Sequence, residues 1–120
     1  MHEASLARAM LSTVMDSLDE RSLRGQDVVS ITVRIGELAQ IDPESLEFAF
    51  SFAAAETELE GCKLIFTTAV AELLCVSCQR LNTYDIEHLY RCVYCGGPCD
   101  LISGKEFDVI SLELAGSTVT

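Results

Sequence analysis

Four of the six cysteines fall in two pairs, Cys75-x2-Cys78 and Cys92-x2-Cys95, with 13 residues between the pairs. A Cys-x-x-Cys segment closes a tight knuckle that turns two sulfurs toward one point. Four thiolates at about 2.3 Å then make the tetrahedral shell that suits zinc. Every vertex comes from the protein, no position is left for water, and such a site is structural rather than catalytic. The competing readings are weaker. Disulfides fit a reducing compartment poorly, and a redox dithiol needs only one pair. Iron can occupy the same four sulfurs, so the sequence fixes the site more firmly than the ion. The segment has little apolar content of its own, and zinc binding can contribute about 10–16 kcal/mol to its folding.

The other candidate ligands are more ambiguous. Cys99 follows Cys95 by four positions and reads as a neighbouring thiol or a replacement ligand. Cys62 opens a strand and reads as a small buried hydrophobe. His88, between the knuckles, is either an exposed loop histidine or a pH- or metal-responsive group. The chain has only one other histidine, His2. At that position the Met1 amine, the His2 backbone nitrogen and the His2 imidazole close two fused chelate rings, and the Glu3 backbone nitrogen completes a square. A tetragonal nitrogen set favours Ni(II) or Cu(II) over zinc. The amine must be free and deprotonated, so such binding weakens as pH falls. The plainer alternative is an exposed, mobile terminus.

These groups need elements to position them. From Ala4 to Leu18, apolar Ala4, Ala7, Leu11, Val14 and Leu18 follow helical spacing, with Arg8, Ser12, Asp16 and Glu20 opposite. Val29, Ile31, Val33 and Ile35 alternate with Ser30, Thr32 and Arg34, which predicts a strand. Asp42-Pro43-Glu44 starts a helix expected to run to about Glu58, ended by Gly61, with Phe48 and Phe52 widening an apolar face packed on a sheet. Cys62–Leu74 predicts a second strand and Phe107–Leu114 a third, the two pairing as legs of a long antiparallel hairpin. The tail 116–120 is expected to fray. The expected fold is therefore α+β: a small antiparallel or mixed three-stranded sheet packed with two helices, carrying an inserted zinc-ribbon module. Residues 1–73 and 102–120 form the main domain, and 74–101 the insertion.

Composition narrows the function. Apolar residues make up 49% of the chain, which predicts a globular domain, and no apolar run reaches the ~20 residues of a membrane span. No secretory leader is visible, so a cytoplasmic location is expected. The net charge of −11 opposes nucleic-acid binding, and Arg80, Arg91 and Lys105 are nearly the only cations near the cysteines.

The order of Met1-His2-Glu3, Val33-Arg34-Ile35-Gly36-Glu37-Leu38, Asp42-Pro43-Glu44-Ser45-Leu46 and the two cysteine pairs resembles the HypA/HybF family of hydrogenase maturation factors over nearly the whole chain. The resemblance implies a nickel metallochaperone, not an enzyme. It implies Ni(II) held by His2 with Met1 and Glu3, and structural Zn(II) on Cys75, Cys78, Cys92 and Cys95. The implied partners are the HypB GTPase and the precursor of the [NiFe]-hydrogenase large subunit, and for some members urease maturation proteins. The family's histidine near the zinc maps only loosely onto His88. Monomer and homodimer are both compatible with the sequence. The alternative is a zinc-ribbon module binding protein or nucleic acid with no nickel role. A thiol oxidoreductase is disfavoured, because no base–nucleophile pair or phosphate loop is present.

Overall fold

Apolar spacing near the start of the chain builds helix α1 (Glu3–Glu20) in the computed structural model, which describes residues 3–119. Its buried stripe is Ala7, Met10, Val14 and Leu18, while Leu11 is half-buried and Ala4, in the first turn, is exposed. A 3-10 turn at Gly25–Asp27 leads into β1 (Val28–Gly36). Ile31, Val33 and Ile35 of β1 are buried as their alternation predicts, whereas Val29 is exposed.

Helix α2 (Pro43–Ala54) starts as its sequence dictates. The Asp42 carboxylate accepts the Glu44 N–H at 3.3 Å and the Ser45 hydroxyl at 2.7 Å, with Pro43 at the first helical position. The helix stops before the expected Glu58. Thr57 donates both its backbone N–H (3.0 Å) and its hydroxyl (2.6 Å) to the Ala54 carbonyl, and Glu56 turns left-handed at φ 65°. These local bonds replace the next helical turn, so Gly61 is not the stop. Leu46, Phe50 and Ala54 are buried, but Phe48 and Phe52 are 74% and 80% exposed, against the expectation that they pack on a sheet. Each residue turns the helix by about 100°, so Phe48 and Phe52 lie some 200° from Leu46 and Phe50.

The expected strand from Cys62 to Leu74 is two strands, β2 (Lys63–Ala69) and β3 (Glu72–Cys75), in different sheets. Then follow β4 (Leu81–Thr83), β5 (Cys99–Ser103), β6 (Phe107–Leu114) and β7 (Ser117–Val119). One sheet has the order β2–β1–β6–β7 and the other β4–β3–β5. The α+β class and the inserted ribbon agree with the sequence reading, with two corrections. First, β2 and β6 do not pair, because β1 lies between them; the antiparallel pairing on the flanks of the insertion is β3 with β5. Second, the main sheet gains a fourth strand from the tail. Gly116, at φ 92°, turns the chain so that residues 117–119 pair antiparallel with Leu112–Leu114 instead of fraying.

The chain divides into two compact units. The first contains Gln40–Thr67 with the segments that end at Arg34 and begin at Asp108; the second is Ile35–Ala39 with Thr68–Phe107. In the first unit α1 packs along α2, and buried side chains come from both helices, from β1, and from Leu59, Leu64 and Leu112. Bidentate Arg34–Asp108 contacts, 2.8 and 3.2 Å, join β1 and β6 at its surface.

The second unit is closed at its base by the end of β1 and the residues that follow it. The N–H groups of Gly36, Glu37 and Leu38 donate to the carbonyls of Glu106, Ala69 and Gly104 at 2.7–2.8 Å. The Glu37 carboxylate accepts the Ala71 N–H at 2.7 Å. A Cβ on Gly36 would collide with the Gly104 carbonyl, and Gly104 itself, at φ 129°, lies against Ala71. This close approach explains the Gly36-Glu37-Leu38 run: glycine for space, glutamate for an otherwise unpaired amide.

Candidate metal centre

The two knuckles are built alike. In the first, the Gln79 N–H donates to the Cys75 carbonyl at 3.1 Å; in the second, the Gly96 N–H donates to the Cys92 carbonyl at 3.0 Å. The residue after the second cysteine is left-handed in both, Gln79 at φ 64° and Gly96 at φ 77°. That reversal turns both sulfurs of each pair inward. Gly96 meets the requirement without strain. Gln79 meets it with a side chain whose amide donates to the Val76 carbonyl at 3.0 Å.

The four sulfurs converge. All lie within 4.8 Å of one another, with Cys75 to Cys95 at 3.5 Å and Cys78 to Cys92 at 3.6 Å. A tetrahedron with metal–sulfur bonds of about 2.3 Å has edges of about 3.8 Å, so the set fits a single zinc-sized ion held by soft donors. Cys75 and Cys92 are buried, Cys78 is half-buried and Cys95 is exposed.

Backbone and side-chain donors already face the sulfurs. The Cys78 N–H points at Cys75 Sγ and the Tyr94 N–H at Cys92 Sγ, each at 3.4 Å. The backbone N–H of Cys78 leads the causes that lower the Cys75 thiol. Burial pushes Cys92 up, but the backbone N–H groups of Cys95 and Tyr94 and the Asn82 amide outweigh it and bring the thiol down to about 6. Cys78 goes the other way: the Arg80 backbone N–H pulls it down, but burial and its three sulfur neighbours drive it up to about 12. Without a cation, four crowded thiols cannot all ionise; a dication supplies the missing charge.

Asn82, which sequence reasoning passed over, supports the cluster. It is buried; its Oδ1 accepts the Val93 N–H at 2.9 Å, and its Nδ2 donates to the Arg80 carbonyl at 3.3 Å and to Cys92 Sγ at 3.6 Å. One side chain thus ties β4 to the second knuckle and to the Arg80 carbonyl, which also accepts the Cys75 N–H. The only available signal was an asparagine within an apolar-and-cysteine segment.

The remaining candidates stand apart from the four sulfurs. Cys99 is buried, packed with Leu73, Cys75 and Cys92, but is not one of the convergent set. Cys62 is half-buried in the loop before β2 rather than fully buried, and burial pushes its thiol up. His88 is exposed, with Nδ1 3.0 Å from both carboxylate oxygens of Asp85. Met1 and His2 lie outside the described residues. Glu3 begins α1 and, with Arg8, Asp42, Phe48 and Phe52, lines a groove of about 920 Å³ in the first unit. Among the described residues no helix is long and apolar enough to cross a membrane.

The sequence model of the family described as "Hydrogenase/urease nickel incorporation, metallochaperone, hypA" matches residues 1–114. A hydrogenase maturation factor HypA of Archaeoglobus fulgidus is 38% identical over 107 residues, covering 89% of this chain and 92% of that protein. The guanidine hydrolase-activating protein A of Synechocystis is 30% identical over 114 residues, covering 94% of each. The solution structure of the Ni metallochaperone HypA from Helicobacter pylori superposes with a TM-score of 0.67 at 21% identity, covering 95% of this chain and 97% of that one, a likeness of fold. This chain belongs to the HypA family of hydrogenase/urease nickel-incorporation metallochaperones.

Proposed function

We propose that the chain holds Zn(II) permanently on Cys75, Cys78, Cys92 and Cys95, carries Ni(II) at its amino terminus, and delivers it in the cytoplasm for [NiFe]-hydrogenase maturation. The nickel ligands are the His2 imidazole with the Met1 amine and the backbone nitrogens of His2 and Glu3. The zinc-binding module comprises residues 74–101, and 1–73 with 102–120 form the nickel-carrying domain. The HypB GTPase and the hydrogenase large-subunit precursor are the partners.

The observation that carries this reading is the closure of the four-thiol cluster. Protein sulfurs fill every tetrahedral vertex, so a transported ion in a nickel-incorporation family needs another site. His2 is one of two histidines, and the other, His88, is engaged by Asp85. A terminal chelate also suits release, because protonating the amine or replacing one nitrogen opens the ring. Nickel and zinc then stay apart by both geometry and ligand softness.

Metal analysis of untagged protein after nickel addition tests the reading. One zinc and one nickel per chain are expected, the nickel with a square-planar absorption spectrum. His2→Ala and amine acetylation should each abolish the nickel and leave the zinc. Nickel binding of parental affinity in His2→Ala would overturn the proposal. The Synechocystis relative supports a second recipient: by its name it activates a guanidine hydrolase, and nickel transfer to such an enzyme rather than to a hydrogenase precursor would distinguish the two.

A further inference from the structure

A fifth sulfur stands beside the cluster in a position that packing alone does not require. Strands β3 and β5 pair antiparallel, and Cys75 and Cys99 are direct cross-strand partners. Their amides do not bond to each other: the Cys75 N–H donates to the Arg80 carbonyl at 3.0 Å and the Cys99 N–H to the Tyr90 carbonyl at 2.8 Å. The two residues therefore form a non-hydrogen-bonded pair, the kind whose side chains stand closest, on the same face of the sheet. Both are buried in one cluster with Leu73 and Cys92, flanked by Cys78. Cys99 and Cys75 therefore present their thiols on one face of the strand pair, within one buried cluster.

We propose that Cys99 is a reserve zinc ligand that takes the vertex of Cys75 when the Zn–Sγ bond of Cys75 opens. The exchange is redox-neutral. The zinc bond to Cys75 breaks, a bond to Cys99 forms, and the Cys99 proton passes to the departing Cys75 thiolate, so the charge of the site is conserved. The vertices differ in how firmly they are held. Cys92 is anchored by the Asn82 side-chain amide as well as the Tyr94 N–H, whereas Cys75 has only the backbone N–H groups of Cys78 and Ser77 and faces a second thiol across the strand pair. Exchange at this vertex lets the module flex without losing its ion. The inference rests on the zinc reading of the four cysteines.

The test compares full-length Cys75→Ala with Cys75→Ala/Cys99→Val, the valine keeping apolar volume in the strand. Zinc per chain, zinc affinity by chelator competition, and the absorption of the Co(II)-substituted proteins are measured. Thiolate-to-cobalt charge-transfer intensity counts bound sulfurs. Cys75→Ala should keep one zinc and a four-sulfur cobalt spectrum. The double variant should fall to three sulfurs and bind zinc on the order of tenfold or more weaker than Cys75→Ala. A three-sulfur spectrum and equal affinity in both variants would overturn the proposal. Where Cys75→Ala fails to fold, Cys75→Ser against Cys75→Ser/Cys99→Val carries the same comparison, since serine preserves the volume. A parent chain that binds no zinc would overturn the zinc reading first and this proposal with it, and is recognised by measuring the parent alone.

Discussion

The two units of this chain are stabilised by different means. The first has an aliphatic and aromatic interior: Val14 and Leu18 of α1, Ile31 and Val33 of β1, Leu46 and Phe50 of α2 are all nearly inaccessible. The second buries a cluster of one leucine and three cysteines, with Cys78, Tyr84 and Leu101 packed around it. Apolar transfer, at about 25 cal/mol per Å², has a larger interior to act on in the first. In the second, the Zn(II) proposed for the four cysteines would offset part of the cost of ordering the segment. The difference teaches that one short chain can combine an apolar core with a core built largely of cysteine.

Removing zinc is the strongest way to break the comparison. All three tyrosines, Tyr84, Tyr90 and Tyr94, lie in the second unit, and the chain has no tryptophan, so tyrosine emission and the tyrosine band of the near-ultraviolet dichroism report that unit. Chelation should abolish the tyrosine signature, with about 10–16 kcal/mol of metal-linked folding energy at stake, and leave the helical far-ultraviolet signal of α1 and α2 largely intact. Simultaneous loss of both would show that the first unit also depends on the ion. Phe50→Ala is the converse. It should cost about 3–5 kcal/mol by denaturant unfolding while zinc stoichiometry stays at one, because Phe50 is 2% exposed in the first unit.

Smaller effects sharpen the contrast. Asn82→Ala strands the Val93 amide and removes a donor to Cys92, and should cost about 1–3 kcal/mol in the loaded protein. Chelator competition should show zinc bound about 10–100-fold more weakly, with the α1–α2 signal unchanged. Acidity acts on the same unit. The Cys78 thiol stands at about 12 without metal, so zinc must displace at least one proton. Zinc affinity should therefore fall at least about tenfold per pH unit on acidification, more steeply once pH drops below about 6, where Cys92 also protonates. Competition titrations between pH 8 and 5.5 check the slope, and a flat profile would contradict the thiolate site.

The sequence revealed most where a local pattern carries the physics. Two Cys-x-x-Cys knuckles, the Asp42-Pro43 helix start and the alternation of Val33 and Ile35 each act over a few residues and were legible. What stayed hidden depends on distant partners. The break between β2 and β3 has no local signal, because Ala71 is drawn out of the strand by a carboxylate 34 positions earlier, Glu37. The insertion of β1 between β2 and β6 is likewise a matter of topology, not of any one segment. Phe48 and Phe52 misled because a nearly continuous apolar helix obscures which line is covered, and here Leu46, Phe50 and Ala54 form that line. The nickel ligands proposed for the amino terminus rest on chemistry and resemblance, and Met1 and His2 lie outside the described residues.

The clamp at the base of the second unit has a consequence for portability. A peptide spanning residues 68–107 would contain every zinc-directed sulfur, yet it would not be the whole unit. The carbonyls of Ala69, Gly104 and Glu106 would lose their donors, and the Ala71 amide its carboxylate. The missing partners all sit on Gly36, Glu37 and Leu38, more than thirty positions upstream. Such a ribbon cannot be transplanted as one contiguous cassette; a graft that keeps its shape must bring that tripeptide along.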